Sequence, residues 1–263
     1  MAYRTLRHAL LLLALHRIHG LAPSPPPTYY VSNSPRGSDA GPGTSPSAPF
    51  KTLARASLLR LPPGSSLLLE RGSTFADATL DLVLPGAGAS LGAFGDPALP
   101  RPQIVSRTLP GWVTCVSVVD PGSNFTVSEL HLAGCARGVA VSFGKTTVPV
   151  TGLTITGCFF RDITGPDEDY TPSGSAWGAA VDLVGGGGGA QLGDVVVSHN
   201  VGLRIGTFFE QHTPIYGLEL ESNTVMGCGN NCVGMVSGSG LHLRNSVFLR
   251  DTPQVQHAVV LCY

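Results

Sequence analysis

Four ionisable side chains recur at one interval in a chain that is otherwise sparing with charge. Glu219 and Glu221 are followed 23 residues later by His242 and Arg244. If the two segments are strands lying side by side, Glu219 neighbours His242 and Glu221 neighbours Arg244. A carboxylate there can act as general acid or base, and a guanidinium can neutralise a uronate carboxylate. These are the catalytic candidates. Equivalent positions in earlier segments hold Thr154, Thr156 and Ser198, which would extend the polar face for substrate contact. The competing reading is structural: cross-strand pairs, each worth about 0.2–1 kcal/mol.

A second group is acidic and aromatic. Asp162, Asp167, Glu168 and Asp169 share one excursion, residues 161–177, with Tyr170 and Trp177. Oxygen-rich sets suit Ca²⁺, which takes about six to eight oxygen ligands, and a Tyr or Trp ring can stack on a pyranose. The acidic run lacks the fixed ligand spacing of an EF-hand loop, so a solvated acidic tip is the alternative. Cys228-Gly-Asn-Asn-Cys232 suits a small disulfide loop. No second close pair or histidine spacing points to zinc. Asn124-Phe125-Thr126 is a glycosylation sequon that gains meaning in a secreted chain. His199, His212 and His257 stand alone and read as turn or surface residues.

The elements that must position these groups are short and repeated. Leu130-His131-Leu132, Leu153-Thr154-Ile155, Val195-Val196-Val197, Leu218-Glu219-Leu220 and Leu241-His242-Leu243 superimpose, with steps of 23, 42, 23 and 23 residues. Their outer residues are aliphatic and the middle one varies, the period of a half-buried strand. Second strands follow at Val139-Ala140-Val141, Val181-Asp182-Leu183, Leu203-Arg204-Ile205 and Val233-Gly234-Met235. Units this small cannot bury their own apolar side, so they must stack as a solenoid. Three residues past each triplet come Cys135, Cys158, Asn200, Asn223 and Ser246. Stacking predicts an Asn200–Asn223 ladder and puts Cys135 beside Cys158, as packed thiols or a disulfide, with packed thiols expected. The 42-residue step is one coil with the excursion at 161–177 inserted.

Composition agrees. Among 263 residues, 34 are Gly and 21 Pro, charged residues are 13% and hydrophobic residues 43%. That excludes wholesale disorder and helical bundles. A net charge of -1 supplies no basic field for nucleic acid or anionic membrane. Arg4 and Arg7 precede an apolar run at 9–15, predicting a signal peptide over residues 1–22, a Pro-rich linker over 23–28, and one domain over 29–263. The apolar run is too short for a stable membrane span. Phe50, Leu53, Ala54, Leu58 and Leu61 lie at helical spacing and would cap the first coil. Residues 258–263 read as a strand that stops uncapped, which predicts a truncated chain.

The segment from Tyr29-Tyr30-Val31-Ser32 through Gly37-Ser38-Asp39 and Gly43-Thr44-Ser45 to Pro49-Phe50-Lys51-Thr52 resembles the opening of the pectin-lyase-like superfamily. Pro63-Gly64-Ser65 and Gly72-Ser73-Thr74-Phe75 are similar to its next turn and strand, with Ser65 where Asp is usual. The resemblance implies an all-β, right-handed parallel β-helix with a short N-terminal capping helix. It also implies an extracellular, carbohydrate-oriented protein, secreted or at the cell surface. It leaves the reaction open, because the superfamily holds lyases, hydrolases, esterases and non-catalytic members; several of its lyases use calcium. Motifs of its polygalacturonase-like hydrolases, pectin esterases and pectate lyases are missing here. The expected function is therefore carbohydrate-active or carbohydrate-binding: a lyase or glycosidase on an acidic polysaccharide, a non-catalytic β-helix module, or a fragment of a larger β-helix protein.

Overall fold

Each turn of the chain in the computed structural model visits three sheets in the same order. The structure describes residues 24–107, 111–144, 149–165, 178–185, 191–229, 231–235 and 237–249, with the backbone of 260–262. In one coil, Thr126–Ser128 lies in the first sheet, His131–Ala133 in the second and Arg137–Phe143 in the third. The next coil repeats this with Thr154–Thr156, Phe159–Ile163 and Ala179–Gly185. Among the described residues the sheets have nine, seven and seven strands. Neighbouring strands run parallel. The fold is a parallel β-helix.

The core follows from period-two alternation. Leu67, Leu91, Val127, Ile155, Val197, Leu220 and Leu243 pair in sequence along the first sheet as one file. The first six are fully buried, and burying each such side chain contributes about 1.5–3 kcal/mol. Leu243, on the outermost described strand of that sheet, is 43% exposed.

Corner geometry sets the register and corrects two assignments. Glu129, Gly157, His199, Ser222 and Asn245 all have φ between 50° and 64° and turn the chain from the first sheet to the second. The triplet before Glu129 is Phe125-Thr126-Val127, so that segment, not Leu130-His131-Leu132, occupies the first sheet. Leu130-His131-Leu132 follows the corner, and Leu132 pairs with Phe160 in the second sheet. Both segments alternate identically, so periodicity alone could not separate them. Leu203-Arg204-Ile205 likewise belongs to the second sheet, and the third-sheet strand of that coil is Thr207–Gln211.

One residue past each corner lies the inward column Leu130, Cys158, Asn200, Asn223 and Ser246. The asparagine ladder forms as expected. Asn200 donates from its backbone N and from Nδ2 to Asn223 Oδ1, both at 3.1 Å. Asn200 Nδ2 also donates to Ile155 O at 3.0 Å, and Asn223 Nδ2 to Val197 O at 2.8 Å. The ladder thereby satisfies backbone groups that the corner leaves unpaired. Cys135 is not stacked on Cys158. It sits one corner later and is disulfide-bonded to Cys115, while Cys158 is a buried thiol in the ladder column. Cys228 and Cys232 form the small disulfide loop.

At the N-terminal end the helix is shorter than expected. Leu53–Ala56 makes one turn beside Leu80–Val83, the first strand of the third sheet, with Leu53 and Ala56 buried. Phe50 and Leu61 are buried too, but Ala54 faces solvent and Leu58 is 73% exposed, because one turn cannot present five apolar positions inward. The opening motif explains itself physically. Asp39 accepts hydrogen bonds from Lys51 N (2.7 Å), Thr52 N (3.0 Å) and the Thr52 hydroxyl (2.7 Å), tying the loop to the helix start. Thr52 caps the helix by accepting from Arg55 N at 3.1 Å. Gly43 has φ +66°, and a Cβ there would collide with the Phe50 ring.

Candidate active site

The outward face of the third sheet carries a carboxylate pair. Inward residues of successive strands are Val116, Val139, Val181, Phe209 and Val233. The outward column beside them reads Ser117, Ala140, Asp182, Glu210 and Gly234. Asp182 and Glu210 therefore stand on adjacent strands, about 4.8 Å apart at the backbone. Small residues on either side leave them at the base of a cleft of about 430 Å³, lined by Trp112, Arg137, Ala179, Asp182, Glu210 and His212.

Electrostatics distinguish the two acids. Asp182 is 2% exposed; Arg137 Nε lies 2.7 Å from its Oδ2, and its Oδ1 is buried without a hydrogen-bond partner. His212 Nε2 is 3.5 Å from Asp182 Oδ1 and 3.6 Å from Glu210 Oε1. One imidazole nitrogen reaching both acids holds those two carboxyl oxygens no more than about 7 Å apart. Burial pushes both carboxyls above their ordinary range. At Asp182 the Arg137 guanidinium opposes this; at Glu210 the His212 ring opposes it and the Asp182 charge adds to it. Arg137 Cζ also lies 5.7 Å from the Trp112 ring, and Trp112 is 52% exposed at the rim. Two acids beside one permanent cation favour holding a proton between them.

Alternation marks Val181-Asp182-Leu183 as a strand, but repeat spacing aligns it with Leu203-Arg204-Ile205 and not with its true neighbour. Aligning it with Phe208-Phe209-Glu210-Gln211 would have put both carboxylates in one column. His212, read as a turn or surface residue, lies between the two carboxylates.

The four recurrent residues lie on the first sheet instead. Glu219 pairs in register with His242, and Glu221 with Arg244. The ion pair that forms is diagonal, Arg244 Nη2 to Glu219 Oε1 at 2.9 Å. Thr154, Thr156 and Ser198 share that face, with the Thr156 and Ser198 hydroxyls 3.0 Å apart, and Thr126 and Ser128 precede Thr154 and Thr156 in the same columns. Asp162 belongs to the strand Phe159–Ile163, where Arg107, Arg161 and Arg204 surround its carboxylate. Asp167, Glu168, Asp169, Tyr170 and Trp177 lie outside the described residues. The chain leaves the second sheet before them and enters the third at Ala179, three residues before Asp182. Among the described residues no group of three or more His, Cys, Asp or Glu is placed to hold a metal ion. Asn124 is exposed at a corner with φ 59°. No helix among the described residues is long and apolar enough to cross a membrane.

No protein-family model matches the chain. The lacto-N-biosidase of Bifidobacterium longum subsp. longum is 40% identical over 90 residues, covering 32% of this chain and 6% of that protein. The solved GH136 lacto-N-biosidase from Eubacterium ramulus superposes with a TM-score of 0.60 at 17% identity, over 83% of this chain and 51% of that one. Alginate lyase from Paenibacillus sp. str. FPU-7 gives 0.53 at 14% identity, over 75% of this chain and 64% of that one. The chain thus spans about half the length of the first structure and a small part of the curated relative. The structural likeness is one of fold.

Proposed function

We propose that the chain is an extracellular, carbohydrate-active β-helix protein that cleaves glycosidic bonds in the cleft on its third sheet. The observation that carries the reading is the in-register Asp182–Glu210 pair, a buried carboxyl beside a partly buried one. Glu210 lacks a guanidinium of its own and sits beside the Asp182 charge, so it holds the shared proton and delivers it to the glycosidic oxygen as the bond to the sugar carbon breaks. Asp182, ion-paired with Arg137, supplies the negative charge that an oxocarbenium-like transition state requires. Water adds to the sugar carbon, and its proton restores Glu210. The exposed Trp112 ring offers a stacking platform for a pyranose. The neighbours named for lacto-N-biosidase and alginate lyase activity support a glycan as substrate.

Glu219, Glu221, His242 and Arg244, with the hydroxyls beside them, would contact glycan along the first sheet. Tyr170 and Trp177 would do so from residues 161–177, and Asp167, Glu168 and Asp169 are the acids left to bind calcium. Two disulfides and the apolar run near the N-terminus support secretion.

The test is release of reducing ends from a panel of neutral and acidic glycans, with absorbance at 235 nm read in parallel. Hydrolysis lost in Glu210→Gln and Asp182→Asn supports the reading. Unsaturated product would replace it with lyase chemistry, and glycan binding without turnover would make the chain a binding module.

A further inference from the structure

The second sheet carries a cluster of guanidiniums. Arg71, Arg101, Arg107, Arg161 and Arg204 gather there, out of 16 basic residues in the whole chain. Among the described residues, Glu129 and Asp162 ion-pair with them. Glu129 takes Arg71 at 2.5 Å and lies 3.8 Å from Arg101. Asp162 takes Arg107 Nη2 at 2.6 Å and Arg204 Nη2 at 2.5 Å. Arg161 Nε is 3.4 Å from the same carboxylate but is not aligned to donate to it.

Three polar nitrogens in this cluster are buried without a hydrogen-bond partner: Arg101 Nε, Arg161 Nε and His131 Nε2. Burial pushes the His131 imidazole below its ordinary range, and Arg161, Arg101 and Arg107 push it further the same way. The strands explain the convergence. His131 and Arg161 stand on adjacent strands of the second sheet, beside the outward Ala133, while Arg101 and Arg107 flank the strand Gln103–Val105 on the other side. The His131 ring lies tilted against the Phe159 ring, with centroids 4.7 Å apart, which places an aromatic pair beside the guanidiniums.

Arg101 and Arg161 meet their carboxylates only at 3.8 Å and 3.4 Å and keep side chains that are 40% and 43% exposed, so an oxyanion can reach both guanidiniums. The geometry points to a second glycan subsite on the second sheet, in which Arg101 and Arg161, backed by Arg107 and His131, grip a carboxylate or sulfate of an acidic saccharide. Guanidiniums suit either group through paired N–H donors, and the aromatic pair suits the sugar ring. The site stands on a different sheet from the Asp182–Glu210 cleft and does not depend on the reading given to that cleft.

Calorimetric titration tests it with four probes: a uronate disaccharide, a sulfated disaccharide, a neutral disaccharide and inorganic sulfate. Each is measured on the chain as it is and on Glu210→Gln, where equal affinity separates this subsite from the cleft. One or both acidic disaccharides should bind and the neutral one should not, and which acidic one binds names the oxyanion. Arg161→Gln should weaken binding roughly tenfold or more. Asp162→Asn keeps a residue that tolerates the φ of 53° at that position, and it should tighten binding by releasing Arg107 and Arg204. Tightening is not expected of a purely structural carboxylate. Unchanged affinity in Arg161→Gln, equal binding of the neutral disaccharide, affinity lost in Glu210→Gln, or binding of inorganic sulfate alone would each overturn the assignment.

Discussion

Asp182 and Glu210 face outward from adjacent parallel strands in direct register, with one nitrogen of His212 within 3.6 Å of both. Two acids held this way in partial burial cannot both ionise at little cost, so the fold itself imposes a division of labour between them. If that division is catalytic, Glu210→Gln and Asp182→Asn each lower kcat by about 10³-fold or more, whereas Trp112→Ala acts mainly on KM. Steady-state kinetics on the best glycan of the panel separate the two effects.

The same pair makes stability pH-dependent. Glu210 titrates above its ordinary value of 4.5 in the fold, so the folded state binds more protons than the unfolded state across that window. Its stabilising contribution is therefore present at low pH and lost as pH rises through the folded value. Replacing Glu210 by Gln removes this loss. The melting temperature of Glu210→Gln relative to the parent should rise between pH 4 and pH 8, and a flat difference would contradict the raised value.

The asparagine ladder predicts a local stability cost. Asn223→Ala leaves Asn200 N and Val197 O without their side-chain partners inside the stack. We expect a loss of about 2–4 kcal/mol in urea unfolding, since each orphaned buried group costs about 1–3 kcal/mol. Ser246→Ala, at the outer end of the ladder, should cost less.

Thiol chemistry checks the register independently. Cys158 is fully buried, and burial pushes its thiol up to about 12. Peptide mapping after alkylation of the native protein should find Cys158 unmodified, and labelled only after unfolding. The same map should recover Cys115 linked to Cys135 and Cys228 linked to Cys232. Replacing Cys115 and Cys135 together by Ala should cost about 3 kcal/mol, from the loop of 20 residues they close.

The sequence by itself determined the architecture. Alternating aliphatic triplets at a near-constant step cannot be buried except by stacking, so Ile155, Val197 and Leu220 were bound to fall in one file, and Asn200 to meet Asn223. The tertiary structure alone decided which sheet each triplet entered. That choice depends on single left-handed corner residues such as Glu129 and His199, whose φ leaves little trace in residue type when the position is not glycine. A shift of one corner sends Leu130-His131-Leu132 to the second sheet, pairs Cys135 with Cys115, and moves Glu210 next to Asp182. Residues far apart in sequence, Arg137, Asp182 and His212, then share one cleft because coils repeat in space at strand spacing while their loops vary in length.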